Sequence, residues 1–262
     1  MEIIKGKIAR PRKIMIYGPP GVGKTTWASE APNPILIQTE EGADDIGTDR
    51  MPLVKSYDEF MEQLRYLFKE NNGYQYLVID SLNWLEKLIH AKICEEHGAS
   101  HIEDDSVKEF SYQAGYSFAL EACDDLIEAL TSFQETTGLG IIMIAHSRIQ
   151  EFQDPTTATY DRYVPALHIN KKGIGFNSRM QQWCDEVLFL NEKVYTKVTE
   201  DKKGNKTDQT KGIGTGERIV YTERRPAFEA KNRLGLPSEM PYVKDEGWSE
   251  YALYLTGEGG EE

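Results

Sequence analysis

The stretch Gly18-Pro19-Pro20-Gly21-Val22-Gly23-Lys24-Thr25 fits the pattern Gly-x-x-x-x-Gly-Lys-Ser/Thr of a phosphate-binding loop. Its glycines let the backbone fold around an anion with several N–H groups pointing inward. An apolar strand over 13–17 precedes the loop, and a helix over 25–31, ended by Pro32, follows it. We therefore expect the loop, together with Thr26, to hold a nucleotide, with Lys24 at the β- and γ-phosphates and Thr25 on Mg²⁺.

The composition suits one large α/β domain in a reducing compartment. The chain has 262 residues, 39% of them hydrophobic, which is enough to bury a substantial core. Its three cysteines are scattered, and the amino terminus has no apolar leader. No apolar run reaches the length that spans a membrane. We expect a cytoplasmic protein with a single domain over 1–256, its core at about 10–237, and a flexible acidic tail over 257–262.

The net charge of −13 argues against a general polyanion-binding protein. Basic residues nevertheless cluster at the start of the chain, at 171–172, and near 224–233. A narrow basic channel on an acidic body therefore stays compatible with nucleic acid.

Short apolar segments alternate with helical patterns along most of the chain. Strands are predicted at 13–17, 35–39, 76–80, 141–145 and 185–190. Helices are predicted from a capping box at Ser56 to about Asn71, over 82–96, and over an amphipathic stretch carrying Tyr112 to Leu130 on one face. Continuously apolar strands separated by helices are typical of a parallel sheet covered on both faces. This predicts a three-layer α/β fold.

Three segments depart from this alternation. Residues 148–180 are polar and contain Pro155 and Pro165, which predicts a long, mobile loop. Residues 195–199 and 218–221 can pair as a hairpin around a charged tip at 201–206, which predicts an antiparallel carboxyl-terminal edge of the sheet. Residues 2–9 are predicted as a short strand or arm.

Charged and polar residues end three of the predicted strands. Asp80 closes an apolar strand, where a carboxylate binds Mg²⁺ directly or through water in phosphate-loop proteins. Glu40 and Glu41 follow the second strand, and the carboxyl ends of parallel strands face the phosphate site. Either glutamate could orient the attacking water, and Glu40 is favoured. His146 ends the fourth strand and is predicted to sense the γ-phosphate.

Together these residues resemble the RecA-like ATPases. The resemblance covers about 10–237 and rests on Gly18–Thr25, Ile37-Gln38-Thr39-Glu40, Ile79-Asp80-Ser81 and Ile144-Ala145-His146. It is closer to this group than to AAA+ proteins, because serine follows Asp80 where AAA+ proteins usually carry glutamate. The chain also looks like phage-encoded RecA-like nucleotide-binding proteins, some of which act in ATP-dependent single-strand annealing or recombination. His146 departs from the glutamine that is usual at its position.

The resemblance implies a Mg²⁺-dependent ATPase acting on single-stranded DNA, with ATP preferred over GTP. In RecA-like recombinases the loop after the fourth strand contacts DNA. Here that loop would offer its basic residues to phosphates and its aromatic residues to bases. The predicted phosphate contacts are Arg148, Arg162, Lys171, Lys172 and Arg179, and the predicted stacking residues are Tyr160, Tyr163 and Phe176.

The resemblance also implies self-association. Residues 230–235 resemble the Lys-x-Arg element of RecA-like hexameric helicases, so Lys231 and Arg233 would act in trans on the nucleotide of a neighbouring subunit. That role requires a ring or filament, and a single-strand DNA-binding protein is a further expected partner. Two alternatives stay open: a motor or switch acting on protein partners without DNA, and, less well supported, a small-molecule kinase.

Overall fold

A computed structural model describes residues 10–70, 73–200 and 206–256, with side-chain surroundings given outside 196–200 and 206–213. The predicted arm at 2–9, most of the hairpin tip at 201–206, and the tail at 257–262 lie outside the described residues. The strands are β1 (Lys13–Gly18), β2 (Pro34–Gln38), β3 (Asp49–Arg50), β4 (Tyr76–Asp80), β5 (Gly140–Phe152), β6 (Tyr160–Pro165), β7 (Glu186–Glu200), β8 (Lys206–Tyr221) and β9 (Glu239–Tyr242). The helices are α1 (Lys24–Ser29), α2 (Tyr57–Lys69), α3 (Leu82–His97), α4 (Gly115–Thr137), α5 (Phe176–Trp183) and α6 (Gly247–Thr256), with a 3₁₀ helix at Lys108–Gln113.

The strands form one mixed sheet in the order β3-β2-β4-β5-β1-β7-β8-β9, and β6 pairs with the far half of β5. The strands from β3 to β7 in this order run parallel, whereas β8 and β9 are antiparallel. The register brings the carboxyl ends of β1, β2 and β4 together beside the middle of β5: Gly18 lies opposite His146, and Asp80 lies opposite Gln38 and Ile144. The predicted α/β class, with a mainly parallel sheet and an antiparallel carboxyl-terminal edge, is confirmed.

Helices cover both faces of the sheet, because its central strands are apolar on both sides. One face packs against α2 to α5 through side chains such as Phe60, Leu85 and Leu126. The other face packs against α1 and α6, where Trp27 and Trp248 meet with ring centroids 5.3 Å apart. These are the three predicted layers. Among the described helices, none is long and apolar enough to cross a bilayer.

Two local predictions are wrong. The stretch 148–180 is not one loop: β5 runs on to Phe152, turns back through β6, and is followed by α5. Tyr112 does not lie on the long helix, which starts at Gly115, but in the preceding 3₁₀ segment with a φ of 58° and 99% exposure. In both places the residues at the boundary of the element are polar or exposed, so the apolar pattern does not mark where the strand or helix ends.

A buried acidic pair ties β7 to the chain just before β1. Asp185 and Glu186 are fully buried. The Arg12 guanidinium pairs with Glu186, with its Nε 3.2 Å from Oε2. Asp185 Oδ1 accepts from Arg10 at 2.9 Å and from Arg233 at 3.3 Å. Each buried carboxylate is therefore matched by at least one cation, as burial of charge requires.

We expect Arg12→Ala to lower the free energy of unfolding by about 3 kcal/mol, because it leaves the buried Glu186 carboxylate without its cation. Arg50→Ala is the matched control, since it breaks a pair with the largely exposed Asp44 and should cost less than about 1 kcal/mol. Urea denaturation of both variants measures the difference. Equal losses would contradict the assignment of Arg12 as the essential partner of Glu186.

Candidate active site

The loop between β1 and α1 needs its glycines for two different reasons. Gly21 and Gly23 have φ values of 74° and 102°, in the left-handed region that side chains disfavour. Gly18 lies against β7, where a Cβ atom would come within 2.1 Å of the Leu190 carbonyl oxygen. The tight turn and the close approach of β7 together set the loop at the carboxyl edge of the sheet.

Lys24 is buried and lies back along this loop. Its Nζ donates to the carbonyl oxygens of Gly18 at 3.0 Å and Pro19 at 2.8 Å. Burial lowers the pKa of Lys24, although the negative charges of Asp80 and Glu40 act in the opposite direction. A phosphate in the loop would offer Nζ a charged and therefore stronger acceptor than either carbonyl.

Thr25 and Asp80 meet between the loop and the end of β4. The Thr25 hydroxyl donates to Asp80 Oδ2 at 2.7 Å. Burial raises the pKa of Asp80, and the hydrogen bond from Thr25 opposes that rise. Hydroxyl and carboxylate oxygens suit Mg²⁺, which commonly takes few protein ligands and completes its shell with phosphates and water. No group of three or more His, Cys, Asp or Glu side chains that could hold a metal ion occurs among the described residues.

Glu40 and His146 form a second pair beside the first. His146 Nε2 lies 3.0 Å from Glu40 Oε1. Burial disfavours the charged form of Glu40, but the hydrogen bonds with His146, Ser81 and Trp84 and the charge of His146 together outweigh it, so the pKa of Glu40 is lowered. Glu41 is exposed on the rim. These residues border an open cavity of about 350 Å³ that is also lined by Gly21, Gly23, Lys24, Thr25, Thr26, Gln38 and Asp80.

The comparisons with known proteins identify one family for this chain. A sequence family described as "AAA domain" matches residues 10–234. The chain belongs to this AAA domain family. No curated protein matches the chain. Among solved structures, the crystal structure of the RadB recombinase is similar at 12% identity, over 92% of this chain and 91% of that one, with a TM-score of 0.46.

The AAA domain presents only some of the residues predicted to contact DNA. Arg148, Lys171 and Lys172 are exposed. Arg179 is partly exposed and pairs with Asp124 at 3.1 Å. The prediction for Arg162 is wrong, because this side chain is 3% exposed and is held by internal partners. Its guanidinium lies 3.9 Å from the Phe152 ring centroid, and Nε donates to the Pro226 carbonyl at 3.0 Å.

The predicted base-stacking aromatics have partners inside the fold. Phe176 is buried in the core. The ring of Tyr163 stacks on Phe189 with centroids 5.2 Å apart, and the Tyr160 hydroxyl accepts from Arg162 at 2.7 Å. The stacking prediction is therefore wrong for Phe176. Tyr160 contacts Arg162 within the β5–β6 hairpin, and Tyr163 packs against the core residue Phe189.

Lys231 and Arg233 lie at the opposite end of the sheet from the phosphate loop. Lys231 pairs with Val187 near the start of β7, and its Nζ donates to the Gln181 carbonyl at 2.6 Å. Arg233 is half exposed beside Asp185. Val187 lies opposite Met15, so roughly 10 Å of β1 separates the Lys231 backbone from Gly18 at the start of the loop. Both side chains are held by partners near the amino end of β7 and away from the phosphate loop, so the predicted role is one for a neighbouring copy.

Sequence reasoning missed two polar residues that hold the strand ends together. The Thr39 hydroxyl donates to the Ser81 carbonyl and accepts from the Ser81 amide, both at 2.7 Å. Asn83 contacts the backbone of His146. A polar residue closing the apolar strand 35–38 was a usable signal for Thr39, whereas the partners of Asn83 are distant in sequence and no local pattern points to them.

Proposed function

We propose that this protein is a Mg²⁺-dependent ATPase. The observation that carries the proposal is the convergence of Lys24, Thr25, Asp80, Glu40 and His146 on one cavity at the carboxyl edge of the sheet. The loop backbone and Lys24 would hold the phosphates, and Thr25 and Asp80 would hold the metal. Bound Mg²⁺ would neutralise phosphate charge, which is the main requirement of phosphoryl transfer.

Glu40 is the residue we assign to the attacking water. Its lowered pKa keeps the carboxylate ionised at neutral pH, so that it can accept a hydrogen bond from water. His146 fixes the orientation of that carboxylate through Nε2. With water as the acceptor positioned by Glu40, the reaction would be hydrolysis of ATP.

Single-stranded DNA is the partner we propose for this ATPase, in recombination or strand annealing as in the phage-encoded RecA-like proteins that it resembles. The supporting observation is that Arg148 is exposed on β5 two residues beyond His146, with Lys171 and Lys172 exposed after β6. An extended basic surface would then begin where the nucleotide site ends. Lys231 and Arg233 would complete the site of a neighbour in a ring or filament.

We expect single-stranded DNA to stimulate ATP hydrolysis, and the stimulation to fade as salt rises, because phosphate contacts release counterions. Hydrolysis measured over a salt series, with and without DNA, tests this. Lys24→Ala should remove hydrolysis under all conditions. Lys171→Glu combined with Lys172→Glu should weaken the DNA effect, whereas Lys55→Glu, an exposed lysine before α2, should leave it unchanged.

Hydrolysis that is indifferent to DNA at low salt would contradict the DNA proposal. It would favour the alternative of a nucleotide-driven switch or motor acting on protein partners. Turnover only in the presence of a small acceptor would instead indicate a kinase. The ATPase and the DNA proposals can thus fail separately.

A further inference from the structure

Asn83 links the nucleotide site to the β5–β6 hairpin through a closed set of hydrogen bonds. Its Oδ1 accepts from the His146 backbone N–H at 2.7 Å. Its Nδ2 donates to the Ala166 carbonyl at 2.7 Å. The Ala166 N–H in turn donates to the His146 carbonyl at 2.8 Å. One side chain therefore joins the residue that touches Glu40 to the residue at which the chain leaves the hairpin.

The position of Asn83 in the chain makes this link specific. It lies in the first turn of α3, three residues after Asp80, and Leu85 N–H closes that turn on the Ser81 carbonyl at 3.1 Å. A displacement of Asp80 or of the end of β4 would therefore also displace Asn83, because only a few residues of hydrogen-bonded backbone separate them. His146 connects Asn83 to the nucleotide site a second time, because its ring lies 3.0 Å from Glu40 while its backbone N–H donates to Asn83.

Glu86 provides a second hydrogen bond between α3 and the segment that follows β6. It lies three residues after Asn83, and side chains at this spacing share a helix face. Its buried carboxylate accepts from the His168 N–H at 2.9 Å. α3 therefore holds the chain leaving the hairpin at both Ala166 and His168, so the base of the hairpin should move with α3 as a unit.

We infer that Asn83 is a positioning residue that couples the state of the nucleotide site to the β5–β6 hairpin. This inference rests on the proposed ATPase function and goes beyond it, since it names the connection by which the site would control the surface carrying Arg148. Loss of the Asn83 amide should leave a nucleotide able to bind but unable to alter the hairpin.

Hydrogen exchange over residues 147–168 tests the coupling in the full chain. In the wild type, a non-hydrolysable ATP analogue with Mg²⁺ and ADP with Mg²⁺ should give exchange rates that differ by about fivefold, the factor that corresponds to one net hydrogen bond. Asn83→Ala removes both side-chain hydrogen bonds and should abolish the difference. Asn83→Asp keeps the acceptor for His146 and the side-chain volume but loses the donor to Ala166, so it should also abolish the difference even if the alanine variant folds poorly.

Asn177 provides a matched control from a different element. Its Nδ2 donates to the Pro165 carbonyl at 3.2 Å, one residue before Ala166, but it belongs to α5 and not to the helix that follows Asp80. Asn177→Ala should raise exchange of the hairpin in both nucleotide states and preserve their difference. If Asn83 had a purely structural role, Asn83→Ala would behave like Asn177→Ala and would preserve the difference in exchange between the two nucleotide states.

Three results would overturn the coupling. The difference in hydrogen exchange between the two nucleotide states could persist in both Asn83 variants, or it could be lost in Asn177→Ala as well. The third result is a wild type that hydrolyses ATP but shows no such difference. A wild type that neither binds nor hydrolyses ATP would overturn the ATPase proposal itself, and the coupling with it. Equilibrium nucleotide titration and steady-state hydrolysis of the same samples separate these failures.

Discussion

Glu40→Gln is expected to lower ATP turnover about 10²–10⁴-fold, the range that a positioned general base contributes. The amide keeps the shape of the side chain and can still hydrogen bond to His146, but it cannot take a proton from the attacking water. The phosphate loop, Lys24 and the Thr25–Asp80 pair are unaltered, so nucleotide binding should be largely retained. Steady-state hydrolysis together with equilibrium titration of ATP distinguishes the two effects.

Glu41→Gln is the control that the chain itself offers. Glu41 lines the same cavity as Glu40 but is exposed on its rim. It should therefore retain near wild-type turnover. A large loss in Glu41→Gln with little loss in Glu40→Gln would move the assignment of the base to Glu41 and would leave the Glu40–His146 pair with a structural role.

The parts of the fold that the sequence predicted are those in which local pattern and tertiary position coincide. The apolar run before Gly18 leads into a phosphate-loop pattern, which predicts a buried strand, and parallel strands bring their carboxyl ends to one edge. The placement of Asp80 and Glu40 around the phosphate loop follows from that rule, and His146 lies there because β5 pairs with β1 at Gly18. The tertiary arrangement adds their pairing, with Asp80 on Thr25 and Glu40 on His146.

The hairpin after His146 escaped prediction because its strands are not buried on both faces. The second half of β5 is mostly exposed and polar, so the continuous apolar signal stops at Ala145 although the strand continues to Phe152. Signals were present in the β-favouring Tyr160-Asp161-Arg162-Tyr163-Val164 and in the Asp154-Pro155 turn, where Asp154 accepts from the Thr156 N–H at 2.9 Å.

Arg162 shows a limit of reading charge from sequence. An arginine among polar residues predicts a surface cation, but on β6 Arg162 faces inward, between Phe152 and the Pro226 carbonyl. Which face of a two-stranded ribbon is covered depends on the distant segment 226–229, and no local pattern encodes that contact. Asn83 was missed for the same reason.

Asp80→Asn is expected to lower ATP turnover about 10²–10³-fold, the cost of removing one electrostatic contact to the reacting phosphates. The amide can still accept from the Thr25 hydroxyl, but it lacks the charge that would hold Mg²⁺. Because burial penalises the carboxylate, the variant should be at least as stable as the wild type in thermal denaturation. Asp45→Asn, an exposed acid on the loop after β2, should change neither property.

The pH dependence of Mg²⁺ binding gives this assignment a second, independent test. Burial raises the pKa of Asp80, with Glu40 adding to the rise, and Mg²⁺ must displace a proton wherever the carboxylate is protonated. Affinity for Mg²⁺ should therefore be full above that raised pKa and should fall below it, beginning at higher pH than an ordinary aspartate would allow. Calorimetric Mg²⁺ titrations with bound nucleotide across acidic pH should show this early fall in the wild type and in Asp45→Asn, whereas in Asp80→Asn the fall should begin at lower pH. An unchanged acidic fall in Asp80→Asn would mean that another group, such as Glu40 or the nucleotide phosphates, governs the pH dependence of metal binding.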